Sequence, residues 1–524
     1  MENATLTPRR QGPEVHPPAA ASSRLRPGWP GAIFALLCVG TLVLTLVYPT
    51  YPNYDSVYSL LWGRELLHGV TPSFEAYRAP TEHPLAIAFS VPIALLGEGA
   101  DRVMLFAALA SFLGLVAGLY RLGRSAFTPT VGLVAALILC SRLDFPFLAL
   151  RGYIDVTYLA FVVWAAAWEL ERPRTGYRVP LLLAGAALMR PEAWLLAGLY
   201  FLWAVWPLRR GLWPVRLRAA AWKRTLILLV LALVGTIVWV ALDFAVTGNP
   251  IYSLKHTSGL AEELGRTRSP GEIPRLTYSF LRSLATSVVF YAGLAGLLAA
   301  IVCVPRRVLP PLALLVVGVG TFFMIGVAGL SVIDRYLLVA SLMLMLFAAV
   351  AVAGWTMLEP GRLRIAWIVL GVGFLVLGAA KTSTKINRTG VFSELQFRGD
   401  SHSALKAILE DPRVVAARGC GPISTPSHKL IPETRWIADL PEGRVLARND
   451  PAHSATDLGR VDSDGTAIRS DHATAKGLAL LVTSRQTLLR QAVVEDTDDA
   501  RDNVPPPGFR RLAYNGTYAI YTSC

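Results

Sequence analysis

The chain has 524 residues, of which 53% are hydrophobic and 16% charged, and its mean hydropathy is +0.47. These values exclude an ordinary soluble globule and indicate a polytopic protein of the lipid bilayer. The formal net charge of +14 does not indicate a nucleic-acid partner, because arginines cluster in short loops between apolar segments, as in the cytoplasmic loops of membrane proteins.

Apolar segments of about twenty residues predict about eleven transmembrane helices. We therefore expect an all-α polytopic membrane protein with a small C-terminal soluble α/β domain. Its predicted parts are a cytoplasmic tail (1–30), a transmembrane domain (31–380) and the soluble domain (381–524). The predicted spans lie near 31–48, 101–120, 129–148, 154–170, 179–190, 192–206, 225–243, 284–304, 308–330, 335–357 and 364–380. The short apolar stretch 84–97 predicts an interfacial or partly inserted helix.

The orientation follows from the arginines and lysines of the short loops, which are retained on the cytoplasmic side. Arginines precede the first span and follow the second, fourth and sixth. This pattern predicts a multi-pass protein of the plasma membrane with a cytoplasmic N-terminus. The loops 49–100, 142–153, 244–283 and 331–334 and the tail after 380 are then extracytoplasmic.

The tail after residue 380 is richer in acidic residues, proline and serine than the rest of the chain. Apolar runs at 477–482 and 517–521 predict strands, and 401–409 predicts a helix that begins at Ser401. Cys420 and Cys524 both fall in this tail, where a disulfide is chemically permitted. The sequence leaves open whether they pair.

Charged and polar residues in or beside a membrane are costly and mark functional sites. In this sequence they gather at the predicted outer ends of the helices. Structural roles are the alternative for several of them: Asp155 as a helix cap, Arg190-Pro191-Glu192 as a rigid turn with an internal ion pair, and His256 bonded to loop backbone. The candidate site residues are Tyr54, Asp55, Glu82, His83, Arg151, Asp155, Arg190, Glu192, Tyr252, Lys255, His256, Arg335 and Tyr336.

Carboxylates, imidazoles and guanidinium groups at a membrane face suit transfer of a sugar from a lipid phosphate to a hydroxyl acceptor. A carboxylate can take the proton of the attacking hydroxyl as general base. Arginine, lysine or histidine can stabilise the negative charge that accumulates on the departing phosphate. Direct displacement of this kind inverts the anomeric centre.

The arrangement resembles the GT-C superfamily of polyprenyl-phosphate-dependent glycosyltransferases, particularly those of actinobacterial envelopes. The features that carry the resemblance are Asp55 in the first outside loop, His83-Pro84 leading a short helix, Asp155 opening the fourth span, Arg190-Pro191-Glu192, the run Gly248 to Gly265, and Arg335-Tyr336. The resemblance implies that Asp55 is the base and that Arg335 contacts the lipid phosphate. It also implies that Glu82 and His83 line the same cavity.

The function implied by the resemblance is an inverting glycosyl transfer on the extracytoplasmic side, performed by a monomer. The donor is a polyprenyl phosphate sugar, for example decaprenyl phosphate carrying arabinofuranose or mannose. The acceptor is a cell-envelope glycan or glycolipid.

The resemblance does not firmly imply a cofactor. Metal-dependent relatives carry a closely spaced acidic pair in the second outside loop, whereas Asp144 and Asp155 are eleven residues apart. A divalent metal ion held by Asp55, Glu82, His83 and Asp155 is the alternative, since carboxylate and imidazole ligands suit several metals.

Three other interpretations stay open. One is a transporter or flippase for a lipid-linked sugar, another is a polysaccharide ligase, and in the third the membrane part is a scaffold for the soluble tail. The sequence has no evident inverted repeat or matched pair of broken helices, and its polar residues lie at the outer rim and not at the midplane, which disfavours the transporter.

Overall fold

The computed structural model describes residues 29–48, 50–206, 219–450, 476–491 and 503–524, and these are mostly helical with one small sheet. The predicted tail 1–30 therefore lies almost wholly outside the described residues. The strands are β1 (Ile423–Thr425), β2 (Val445–Ala447), β3 (Leu478–Val482), β4 (Arg510–Tyr514) and β5 (Tyr518–Thr522). The helices are α1 (Trp29–Val47), α2 (Tyr54–Leu67), α3 (Pro84–Ala94), α4 (Ala100–Ala126), α5 (Pro129–Ser141), α6 (Asp144–Leu150), α7 (Asp155–Glu171), α8 (Arg178–Met189), α9 (Glu192–Val205), α10 (Ala219–Thr247), α11 (Tyr252–Glu263), α12 (Ile273–Ala285), α13 (Ser287–Cys303), α14 (Leu309–Val327), α15 (Leu338–Ala353), α16 (Arg362–Thr389), α17 (Val391–Leu409), α18 (Pro412–Ala417), α19 (Ile431–Ala438) and α20 (Arg485–Gln491).

Every predicted span falls on a helix, but the helices differ in length. Among the described residues, five are long and apolar enough to cross a membrane: Gly97–Ala126, Trp222–Thr247, Leu309–Val327, Asp334–Met357 and Arg362–Thr384. Two bent pairs raise this number to seven. The predicted span 129–148 is one of these pairs, since α5 and α6 meet at 65°. The helices α1, α8 and α9 are shorter, so the number eleven stays a prediction.

Helix α15 is the centre of the membrane domain, and each of its residues is buried. Such an all-round apolar helix needs neighbours on every side. Small residues on α13 permit the closest approach, because a methyl group at Gly293 would lie 2.7 Å from the carbonyl oxygen of Leu344. Close helix packing through glycine is a common device within membranes.

The C-terminal part contains the predicted sheet, in the order β2-β1-β3-β5-β4. Strand β1 is parallel to β2 and β3, while β5 is antiparallel to β3 and β4. The predicted strands at 477–482 and 517–521 are confirmed as β3 and β5. Helix α17 begins at Val391, ten residues before the predicted start at Ser401. Cys420 and Cys524 form a disulfide, with their Cα atoms 6.4 Å apart.

Helix α19 of the C-terminal part is anchored to α2 and to the segment between α2 and α3 by polar contacts. Arg435 of α19 is 1% exposed, and its guanidinium donates to Glu65 at 2.5 Å and to the hydroxyl of Ser73 at 3.0 Å. Arg64 donates in turn to the Arg435 carbonyl at 3.1 Å and lies over the ring of Trp436. These contacts hold the C-terminal part against the beginning of the membrane domain.

Candidate functional site

A cavity of about 870 Å³ opens where the membrane helices meet the C-terminal part. Its wall includes the first turns of α2, α7 and α9, the segment before α15, and residues of α10, α11 and α14. The structure therefore brings together residues that are far apart in the sequence. The predicted site residues that line the cavity are Tyr54, Asp55, His83, Arg151, Asp155, Arg190, Glu192, Arg335 and Tyr336.

Asp55 reaches the cavity because the chain before it is tied to the segment between α6 and α7. Asn53 donates through its backbone to the Arg151 carbonyl at 2.8 Å, and the Ser56 hydroxyl donates to the Gly152 carbonyl at 2.6 Å. Gly152 has a φ of 68°, a conformation that glycine adopts without strain. This tie sets the start of α2 beside Asp155 at the start of α7.

Asn53, and not Asp55, caps helix α2. The Asn53 side chain accepts from the Ser56 backbone N–H at 3.1 Å. The carboxylate of Asp55, in the first helical turn, is thus left for other contacts.

An ion-pair network links the acidic and basic candidates. The Arg335 guanidinium lies 3.4 Å from the Asp55 carboxylate and 3.5 Å from that of Asp155. Arg190 donates to Asp155 and, at 2.7 Å, to Glu192. The network therefore runs Asp55–Arg335–Asp155–Arg190–Glu192, and it contains the predicted internal pair of the Arg190-Pro191-Glu192 turn.

Aromatic rings brace the two arginines of this network. The guanidinium of Arg335 lies 5.3 Å from the ring centroid of Tyr153, and that of Arg190 lies 5.2 Å from the centroid of Tyr336. Contacts of this kind attract a cation to the ring face and fix its orientation.

Exposure divides the network into an accessible end and a buried end. The side chains of Asp55 and Arg335 are 21% and 30% exposed, whereas that of Asp155 is 1% exposed. A ligand in the cavity can therefore contact Asp55 and Arg335 directly. The buried end, Asp155 with Arg190 and Glu192, holds Arg335 in position.

Four predicted residues do not line the cavity. Glu82 is fully buried next to it, and Lys255 is exposed on α11. The Tyr252 hydroxyl donates to the Phe74 carbonyl at 3.2 Å, and the His256 ring lies 2.9 Å, through Nε2, from the Ala79 carbonyl oxygen. This contact of His256 is the bond to loop backbone that was the alternative to a functional role for this residue. Their proposed part in substrate binding remains a prediction.

His83 lies in the cavity wall between Glu82 and Pro84, and its Nδ1 atom has no hydrogen-bond partner among the described residues. Burial lowers the pKa of His83 to about 4, although the nearby Asp55 carboxylate raises it. The imidazole is therefore neutral near pH 7. A neutral imidazole beside Asp55 can hydrogen-bond a hydroxyl group of a ligand as donor or acceptor.

Glu82 is linked to the neighbouring carboxyl group of Asp243 through the hydroxyl of Ser253. The Ser253 hydroxyl lies 2.7 Å from Glu82 and 2.6 Å from Asp243, and it accepts from the Trp239 indole N–H. A hydroxyl has one proton to donate, so one of the two carboxyl groups must itself be protonated. The Ser253 backbone N–H also donates to the Asp243 carboxylate at 2.9 Å, and burial raises the pKa of Glu82 to about 7, so we assign this proton to Glu82 below that pH.

We expect the thermal stability of the protein to fall between pH 5 and pH 8 because of Glu82. Its folded-state pKa of about 7 lies above the ordinary 4.5, so its contribution is complete below the ordinary value and is lost as the pH rises through 7. The shift corresponds to a free energy on the order of 3 kcal/mol. Melting curves across this range measure it.

Glu82→Gln should flatten the pH profile, since glutamine keeps the shape and the donor of the protonated acid. The matched control is Glu272→Gln, at an exposed residue paired with Ser269, which should keep the wild-type profile. An identical pH dependence in wild type and Glu82→Gln would contradict the assignment.

The residues considered as metal ligands do not form one cluster. Asp155 is engaged by Arg190, and Glu82 is engaged by Ser253. Within the described residues, no group of three or more His, Cys, Asp or Glu side chains is placed to hold a metal ion. The donor set thus does not fit the divalent ion considered from the sequence.

The C-terminal part supplies cavity residues that sequence reasoning missed. The side chains of His402 and Glu433 line the wall and lie 2.7 Å apart, while the His402 ring stacks on that of Tyr51. His428 and Lys429 line it as well, together with Arg78 and Arg266 from two loops. These residues lie in polar segments, so hydropathy does not distinguish them from their sequence neighbours. Only the folded arrangement reveals them.

No family model and no curated protein matches the chain, but solved structures do. ArnT from Cupriavidus metallidurans, bound to undecaprenyl phosphate, is similar over 95% of this chain and 99% of that chain, with a TM-score of 0.55 and 14% identity. The Archaeoglobus fulgidus oligosaccharyltransferase in its apo form is similar over 91% of this chain and 72% of that chain, with a TM-score of 0.54 and 11% identity.

A third similar structure is AglB of Archaeoglobus fulgidus in complex with an inhibitory peptide and a dolichol-phosphate. It matches over 95% of this chain and 75% of that chain, with a TM-score of 0.53 and 12% identity. At these identities the likeness establishes the fold. The chain shares the fold of these ArnT and oligosaccharyltransferase structures, and the predicted GT-C-like resemblance is confirmed at the level of the fold.

Proposed function

We propose that the protein is an inverting glycosyltransferase that moves a monosaccharide from a polyprenyl phosphate to a glycan or glycolipid of the cell envelope. The observation that carries the proposal is the accessible pair of Asp55 and Arg335, 3.4 Å apart in the wall of a large cavity. A general base and a phosphate-stabilising cation are the two groups that such a transfer requires. The GT-C fold supports a lipid-phosphate-linked donor.

In the proposed reaction, an acceptor hydroxyl attacks the anomeric carbon of the donor sugar while Asp55 takes its proton. The bond between the anomeric carbon and the phosphate oxygen breaks, and the polyprenyl phosphate leaves with the bonding electrons. Arg335 stabilises the negative charge of that phosphate. No general acid is needed because phosphate leaves without a proton.

Binding of the donor must separate Arg335 from Asp55. In a direct displacement the attacking and leaving oxygens lie on opposite sides of the anomeric carbon, so base and cation cannot remain in contact. Asp155 lies 3.5 Å from the same guanidinium nitrogen and stays available as its partner. Arg335 can therefore move away from Asp55 and still keep one carboxylate, that of Asp155, close to its guanidinium.

The wall of the cavity also suits a lipid donor. Leu254 of α11 and Met324 of α14 line the cavity and are 57% and 58% exposed. Apolar side chains that are exposed at a cavity mouth can contact a prenyl chain. We place the site on the extracytoplasmic side, as the loop charges predict, because nucleotide sugars are confined to the cytoplasm and an outer site needs a sugar already carried by lipid.

The proposal is tested with purified wild-type protein and radiolabelled sugar donors. We expect label to move from at least one polyprenyl phosphate monosaccharide, arabinofuranose and mannose included, to an envelope-glycan acceptor. Nucleotide sugars should give none, and the product should have the inverted anomeric configuration by NMR.

Two results would contradict the proposal. One is no transfer from any lipid-linked donor alongside tight lipid binding, which would favour the transporter or the ligase. The other is a product with retained configuration, which would exclude single displacement by a hydroxyl activated by Asp55.

A further inference from the structure

A second charged group lines the cavity, apart from the Asp55–Arg335 network. It consists of Arg78 from the loop between α2 and α3, Arg266 from the loop after α11, and His428-Lys429 from the turn before α19. We call these residues the basic wall. Three separate parts of the chain, one of them C-terminal, converge to form it.

The residues of the basic wall lie within electrostatic reach of one another. The Arg78 guanidinium lies 3.4 Å from Nδ1 of His428. Burial, together with the positive charges of Arg78, Lys429 and Arg266, lowers the pKa of His428 to about 3. His428 is therefore neutral, and because arginine can only donate, Nδ1 accepts and Nε2 carries the proton. The wall combines three cationic side chains, of which Arg78 is paired with Glu263 at 2.8 Å, with a neutral N–H donor.

Arg78 is held in an unusual backbone conformation. Its φ is 52°, in the left-handed region that residues other than glycine seldom occupy. Its carbonyl accepts from the Tyr54 hydroxyl at 2.9 Å, and its side chain is fixed by Glu263 at 2.8 Å and by the ring of Tyr77. Backbone strain that is kept in this way is a feature of ligand-binding positions.

The contact with Tyr54 also ties the basic wall to the proposed general base. Tyr54 immediately precedes Asp55 in the first turn of α2, so the position of Arg78 is coupled to that of the catalytic turn. A molecule held by the basic wall thus lies in the same cavity as Asp55.

We propose that the basic wall binds an anionic group, a phosphate or a carboxylate, carried by the glycan acceptor. Cationic side chains that converge on a cavity are the usual means of recognising such groups. The planar guanidinium of arginine matches the geometry of a phosphate and of a carboxylate. That the bound molecule is the glycan acceptor rests on the proposed function. Binding of the anion itself is measurable without turnover.

The experiment measures binding of three free sugars to the purified full-length protein by isothermal titration calorimetry: a hexose 6-phosphate, a hexuronic acid and the neutral hexose. We expect the phosphate, the acid or both to bind at least about tenfold more tightly than the neutral sugar. Equal binding of all three would overturn the proposal.

Lys429→Glu reverses one charge of the wall at a half-buried residue, and we expect it to weaken binding of the anionic sugar about tenfold or more. Lys476→Glu, the same change at an exposed residue of the C-terminal part outside the cavity lining, should bind like wild type. A Lys429→Glu variant that folds and binds like wild type would overturn the proposal.

Competition separates the basic wall from the phosphate contact at Arg335. An anionic sugar bound at the wall should still bind in the presence of saturating polyprenyl phosphate. Displacement by that lipid would place the anion at the donor site and overturn the assignment. Because these measurements need no turnover, a failed transfer assay and a failed binding assay are distinguishable.

Discussion

Replacing Asp55 with asparagine is expected to lower sugar transfer from the lipid-linked donor by about 10²- to 10⁴-fold. Asparagine has the shape of aspartate but cannot take the proton of the attacking hydroxyl. The loss should appear in kcat, while binding of the polyprenyl phosphate donor is kept. Transfer of radiolabel and donor binding, measured on the same preparation, separate the two effects.

The Asp55→Asn variant should fold normally, because this side chain is 21% exposed and Asp155 still compensates Arg335. The matched control is Asp439→Asn. Asp439 is 82% exposed, pairs with Arg64 and has a φ of 52°, a conformation that asparagine tolerates. We expect wild-type transfer from the control. Transfer by Asp55→Asn at the wild-type rate would remove Asp55 from the mechanism.

Arg190→Met is expected to destabilise the fold by about 3–5 kcal/mol, because it removes one partner of a buried ion pair. Asp155 is fully buried and, of its ion pairs with Arg190 and Arg335, would keep only the longer one with Arg335. Glu192, whose side chain is 9% exposed, would also lose a bond of 2.7 Å. A lower apparent melting temperature and a shorter half-life in detergent measure the effect.

The comparison for Arg190→Met is Arg121→Met, which breaks the pair of Arg121 and Glu171. Those side chains are 38% and 29% exposed, and pairs of this kind contribute about 1 kcal/mol or less. Adding Asp155→Asn to Arg190→Met should recover part of the stability, since the unpaired charge is then removed. Equal melting temperatures for the two arginine variants would show that the network is not a stabilising element.

The site residues that could be predicted are the charged ones that lie next to apolar segments. Asp155, Arg190 and Arg335 stand at helix ends next to long apolar runs, where a charge is costly and therefore conspicuous. Their convergence on Asp55 follows from placing these helix ends at one face of the membrane. The same reasoning places Glu82 near the site, but it cannot reveal that Ser253 and Asp243 enclose it.

The basic wall could not be predicted, because its residues are ordinary in their local sequence. Lys429 and His428 lie in a polar segment, and Arg78 lies in a loop, so nothing distinguishes them from solvated surface residues. The lengths of the helices could not be predicted either, because hydropathy does not reveal the 65° bend between α5 and α6. Both features arise from long-range packing that no local window of sequence contains.

The order of the strands has a consequence for biosynthesis. The turn that carries His428 and Lys429 follows β1, yet β1 pairs with β3, which in turn pairs with β5. During synthesis the ribosome therefore makes this wall well before the strands that complete its sheet. The bond between Cys420 and Cys524 likewise joins residues 104 positions apart. The residues given for the cavity wall all precede β3, so the sheet that lies behind the turn of His428 and Lys429 is completed only after all of them have been made.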